Sequence, residues 1–154
     1  MQRTSNQPRR SATKTALASL ALVALMALLT GCLSADQQSD VDLVNAARRS
    51  SRLAALSVDS YAAGKAQAWS QHMARTGVLE HTGGGTKVDI TGYTHWCSLG
   101  ENVGMGASVS AVHDAFMASA AHKAHILGKY DRIGTGVYKS GRTYWVTEVF
   151  LRTC

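Results

Sequence analysis

Four side chains from three separate stretches carry the chemistry open to this sequence. His81 ends a long amphipathic segment. Glu101 lies in Gly100-Glu101-Asn102-Val103-Gly104, and His122 and His125 follow in Ser119-Ala-Ala-His122-Lys-Ala-His125. An imidazole serves as base, proton carrier or metal ligand, and a carboxylate can orient it or join it at an ion. His122 and His125 are three apart, so on a helix they share a face. No Glu follows His122 as it would in the zinc-protease helix motif. Glycines on both sides of Glu101-Asn102 predict a tight turn with close backbone approach, and Asn102 is expected to bond backbone groups that fix it.

The elements that must position these groups follow from periodicity. Asp40 is the expected cap of a first helix running to about Ser51, with Val41, Val44 and Ala47 at helical spacing and Arg48-Arg49 in its last turns. Asp59 caps a second helix to Thr76, on which Ala62, Ala66, Trp69 and Met73 form one apolar stripe and Gly77 suits the left-handed position beyond its end. His81 then precedes a flexible run, Gly83-Gly84-Gly85, and residues 87–96 read as irregular. Ser108 caps a helix over 109–119, and a short helix over about 121–127 carries His122 and His125. Ile133, Thr135 and Val137 alternate in a strand, Ser140-Gly141 is a hairpin turn, and 142–152 is a strand apolar on both faces. A sheet apolar on both faces needs helices on both sides. Glu148, amid these apolar neighbours, reads as a hydrogen-bonded structural carboxylate.

The N-terminus is read as a targeting segment. Arg3, Arg9, Arg10 and Lys14 precede an apolar run from Ala16 to Leu29, the pattern of an export signal and too short to span a membrane comfortably. Leu29-Thr30-Gly31-Cys32 resembles a bacterial lipobox, in which the Cys is lipidated and becomes the mature N-terminus. The expected organisation is a lipoprotein signal peptide over 1–31, a flexible tether over 32–39 and one domain over 40–154. Losing the four basic leader residues from 16 Lys and Arg leaves 12 against 10 Asp and Glu, a formal charge of +2. No basic stripe with interleaved aromatics survives, so the sequence does not point to nucleic acid. With Cys32 lipidated, Cys97 and Cys154 remain as one pair for a disulfide in an oxidising compartment, the alternative being a free thiol at Cys97. Closing that loop would stabilise the fold by about 4 kcal/mol.

Taken together, residues 40–151 resemble a bacterial member of the CAP superfamily (cysteine-rich secretory protein, antigen 5, pathogenesis-related 1; the SCP domain). The resemblance rests on the order of Leu43-Val-Asn-Ala-Ala-Arg48, Leu56-Ser-Val-Asp59, Gly77-Val-Leu-Glu-His81-Thr, Gly100-Glu-Asn-Val103, Phe116 through Leu127, Ile133-Gly-Thr-Gly136 and Tyr144 through Phe150. It implies an α+β fold, a three-layer α-β-α sandwich with an antiparallel central sheet. It also implies a cleft in which His81 and His122 are the two histidines and Glu101 the first glutamate. The second glutamate of the pattern falls near Ser119, and His125 stands where the bacterial pattern usually has Asn.

Three functions are open on these residues. The first is a lipid-anchored surface domain, on the outer side of the cytoplasmic membrane or cell surface, and not an evident enzyme. As the resemblance implies, it binds a divalent metal such as Zn²⁺, or a small apolar or lipid ligand. In that reading His81 and His122 are the metal ligands, and Glu101, Asn102, Ser119 and His125 complete the cleft. The second is a metal-assisted hydrolase directed at peptides or cell wall, with Glu101 orienting a histidine. The third is an adhesive or structural surface protein with a vestigial cleft.

Overall fold

A computed structural model describes residues 33–154; the expected signal peptide over 1–31 and the expected lipidation site at Cys32 lie outside the described residues. Helix α1 spans Ala35–Ser50. It starts five residues before the expected cap because Ser34 and Gln37 form a capping box, the Ser34 hydroxyl accepting from Gln37 N–H and the Gln37 side-chain Oε1 from Ser34 N–H. Residues 35–39, read from composition as tether, are therefore helical, and Asp40 lies inside the helix, fully buried. Arg48 also departs from expectation. It is buried, and its guanidinium donates to the carbonyls of Ala54, Ile126, Gly128 and Tyr130 at 2.8–3.3 Å. Those charge-assisted bonds offset the cost of burying the cation and pin the 126–130 loop to α1.

The two-residue strand β1 (Ser57–Val58) leads into α2 (Ser60–Thr76), which is capped by Asp59 and ended by Gly77 at φ 70° as its sequence requires. Strand β2 is Trp96–Gly106, helix α3 Val109–Ala118 is capped by the Ser108 side chain, and helix α4 is Ala120–Ile126. Strands β3 (Arg132–Ser140) and β4 (Thr143–Thr153) close the chain as a hairpin. The sheet order is β1-β3-β4-β2. The sheet is mixed where an antiparallel one was expected: β1 pairs parallel to β3, while β3–β4 and β4–β2 are antiparallel. The chain reaches β3 from β1 through helices and a further strand, not through a hairpin, so nothing forces that pair to be antiparallel.

The period-2 alternation of β4 sorts the core into two layers. Val146 and Phe150 join Val41 and Val44 of α1, Val112 and Phe116 of α3, Ile126 of α4 and Ile133 and Val137 of β3. On the opposite face Val149 and Leu151 pack with Ala62 and Ala66 of α2, and Trp145 with Met73. Here α2 lies so close to β3 that a methyl group at Gly134 or Gly136 would overlap the Ala62 or Ala66 backbone. The Ser70 hydroxyl, sunk into this contact, donates to the Gly136 carbonyl at 2.9 Å. Cys97, at the start of β2, is bonded to Cys154 beyond the end of β4, fastening the edge strand to its neighbour.

Candidate functional site

The glycine-flanked stretch is strand, not turn. Gly100 through Gly104 run along β2, the edge of the sheet, each paired with a β4 residue. The glycines serve close approach. A Cβ on Gly100 would stand 2.6 Å from the Tyr130 hydroxyl and 2.8 Å from the His125 ring, and one on Gly104 2.7 Å from the Phe116 ring. Because successive strand residues point to opposite faces, Glu101 and Asn102 part company. Each organises a different set of partners.

Glu101 is buried, and its Oε1 accepts from the Thr82 backbone N–H at 3.0 Å and lies 2.8 Å from His81 Nδ1. A carboxylate oxygen already accepting one N–H takes its second bond from an N–H as well. His81 therefore carries its proton on Nδ1 and leaves Nε2 as its free nitrogen. His81 is held in a hydrogen-bonded turn, not a flexible run: its N–H donates to Gly85, its carbonyl accepts from Gly84, and Gly83 donates to Lys87. The second Glu101 oxygen, Oε2, is buried without a hydrogen-bond partner among the described residues.

Asn102 is fully buried on the other face. Its Nδ2 donates to Glu148 Oε2 at 2.8 Å and to the His122 carbonyl at 3.2 Å. Two acceptors on one side fix the amide orientation, so Oδ1 faces His125 and accepts from its Nδ1 at 2.8 Å. The His122 ring lies against Phe116, with centroids 5.0 Å apart. Burial first, and then the field of His81, hold His122 below the ordinary imidazole range. His125 is held down by burial, then by His122 and His81, against a hydrogen bond to the Glu101 backbone. The three imidazoles thus lie within each other's fields, and burial favours the neutral, lone-pair-bearing forms of His122 and His125.

Ser119 sits at the junction of α3 and α4, where its N–H bonds the end of α3 and its side chain makes no cap bond to α4. His81 and Glu101 are brought into direct contact, as are Asn102 and His125, and His122 joins the second group through its carbonyl. Among the described residues no three His, Cys, Asp or Glu side chains gather closely enough to hold a metal ion. Glu148 points away from Glu101, toward α1, and so does not take the place of a second cleft glutamate. Two participants escaped sequence reading. Thr82 acts through its backbone and leaves no side-chain signal. Asp40 looked like a cap, although its place on the same stripe as Val44 marked it as inward-facing.

Residues 41–150 match the profile of the CAP family, described as the cysteine-rich secretory protein family. No curated protein matches the sequence. Among solved structures, an outer surface protein of Borrelia burgdorferi superposes with a TM-score of 0.64 at 17% identity, covering 77% of this chain and 93% of that one. An extracellular protein containing an SCP domain from Bacillus anthracis gives 0.63 at 23% identity, over 80% of this chain and 45% of that one. Venom allergen-like protein 4 of Schistosoma mansoni gives 0.63 at 12% identity, over 79% and 91%. At these identities the likeness is one of fold, and it agrees with helices on both faces of a four-stranded sheet. The profile match, which takes in α1 from Val41 and runs through β4 to Phe150, makes this chain a member of the cysteine-rich secretory protein (CAP) family.

Proposed function

We propose that this is an exported, surface-anchored CAP domain whose cleft binds a divalent metal ion, Zn²⁺ by its nitrogen donors, and does not carry out catalysis. The observation that carries the reading is the Glu101–His81 pair. A buried carboxylate on Nδ1 sets the tautomer and turns Nε2 into the donor, the arrangement in which imidazole is oriented for a metal. His122 supplies the second imidazole. Two imidazoles fit an ion whose remaining positions are taken by water or a ligand, and Zn²⁺ accepts such nitrogen donors readily. Glu101 is the positioning group: it holds His81 and, through Thr82, the turn that carries it. The disulfide takes Cys97 out of consideration as a thiol nucleophile, which weighs against a cysteine hydrolase. The relatives in fold include an outer surface protein and an extracellular protein, in keeping with export; the anchor at Cys32 rests on the lipobox resemblance of Leu29-Thr30-Gly31-Cys32.

Calorimetric titration of the purified full chain with Zn²⁺ tests this reading. One ion is expected per chain, with affinity at least about tenfold weaker in His81→Ala and in His122→Ala. Equal affinity in all three proteins sinks it. A second reading, a small apolar or lipid ligand in the same cleft, rests on Val78 and Leu79, which are 48% and 46% exposed just before His81. It predicts a lipid that co-purifies with the wild type and is lost from Leu79→Asp.

A further inference from the structure

Beneath the cleft lies a second polar cluster with no part in holding His81. Thr135 of β3, Glu148 of β4 and Asn102 of β2 stand side by side across three strands, Thr135 opposite Glu148 and Glu148 opposite Asn102. Asp40 reaches this row from α1, and all four side chains are fully buried. The Thr135 hydroxyl donates to Asp40 Oδ2, and Asn102 Nδ2 donates to Glu148 Oε2. Asp40 Oδ1 and Glu148 Oε1 are left without a donor from any other group among the described residues. Yet the two carboxyl groups are within hydrogen-bonding reach of each other. Two carboxylates have no hydrogen between them, and two bare buried charges in contact would be prohibitively costly.

We propose that Asp40 and Glu148 share one proton, a buried acid–carboxylate pair that fastens α1 to the central strands and works as a pH-sensitive clasp under the cleft. Glu148 Oε1–H donates to Asp40 Oδ1. The Thr135 hydroxyl supports the carboxylate of Asp40, and the Asn102 amide supports the carbonyl oxygen of the Glu148 acid. The surroundings agree with one remaining negative charge. Burial lifts Asp40 to about 6 against the pull of Thr135 and Glu148. Burial and then Asp40 lift Glu148 well above the usual carboxyl range. Arg48, the buried cation of the same helix, does not compensate, because it gives its donors to backbone carbonyls. The buried titratable group of α3 is His113, and α4 contributes His125 through Asn102 and the carbonyl of His122.

Loss of the shared proton to solvent leaves two buried carboxylates in contact, and the simplest relief is for α1 to lift from β3 and β4. The sign follows from the raised folded-state pKa values. The stabilisation is fully present below the unfolded carboxyl range near 4 and is lost as pH rises through the folded values, about 6 for Asp40 and higher for Glu148. Glu148→Gln carries the same histidines as the wild type, so the difference between the two proteins isolates the clasp proton. Between pH 5 and 8 the unfolding constant of the full chain, measured in urea, is expected to rise more steeply with pH in the wild type than in Glu148→Gln, by up to about tenfold per pH unit, the slope for one proton bound only in the folded state. Glu148→Gln keeps a donor toward Asp40 but has no proton to lose. An equal slope in the two proteins overturns the proposal. Should the variant fail to fold, infrared spectroscopy of the wild type decides: one protonated carboxyl C=O band at pH 7 is expected, and its absence overturns the proposal.

Discussion

Glu101 and Asn102 are neighbours in β2, and the two sides of that strand treat polar groups in opposite ways. On the α2 side Glu101 keeps one oxygen on N–H donors, and His81, its principal partner, is 26% exposed and open to water. On the α1 side Asn102, Glu148, Thr135 and Asp40 are sealed from water and bond to one another. An edge strand with water at its rim leaves a carboxylate-held imidazole free to engage a ligand. A centre of the sheet with helices above it makes every unmade hydrogen bond a loss of stability. The first side is suited to recognition, the second to rigidity.

Breaking each side should separate the two roles. Asn102→Ala leaves Glu148, His125 and the His122 carbonyl each short of a partner, and is expected to cost about 3 kcal/mol in urea denaturation. Glu101→Ala releases partners that water can reach, and about 1 kcal/mol is expected. If the two losses were equal, the contrast between the sides would be wrong. A third, smaller effect concerns His113, buried on α3 with its Nδ1 unpartnered among the described residues. Burial lowers its pKa, with Asp114 opposing. A depressed value means stability present above the unfolded pKa near 6.5 and lost as pH falls below it. His113→Phe should therefore gain on the wild type as pH drops from 7 to 5, and a constant difference would remove His113 from the acid response. The smallest change is expected from His81→Ala, which should leave folding stability within about 0.5 kcal/mol while weakening Zn²⁺ binding.

Much of the scaffold was legible because it is written in local rules. Asp59 and Gly77 bound α2 as their types require, Ser108 caps α3, and the two apolar faces of β4 announced helices on both sides of the sheet. The site was legible in part. His81 and Glu101 do meet, but across 20 residues of chain, and it took a family resemblance to pair them. In sequence the glycines of β2 suggest a turn because glycine's freedom is its commonest signal, whereas in the fold they make room for Tyr130, His125 and Phe116. Asp40 was read as a cap because an acidic residue before an apolar stripe usually is one. The stronger capping box at Ser34 and Gln37 displaced that reading.

By itself the sequence determined what period and residue type control: helix ends, the order of elements, two covered sheet faces, and a supply of histidines and carboxylates. Only the tertiary structure decided which polar groups share a surface. That choice depends on strand register, since a shift of one residue in β2 would exchange the faces of Glu101 and Asn102. It also depends on α1 lying over β3 and β4, which brings Asp40 to Glu148 from 108 positions away in the chain. No local rule encodes either.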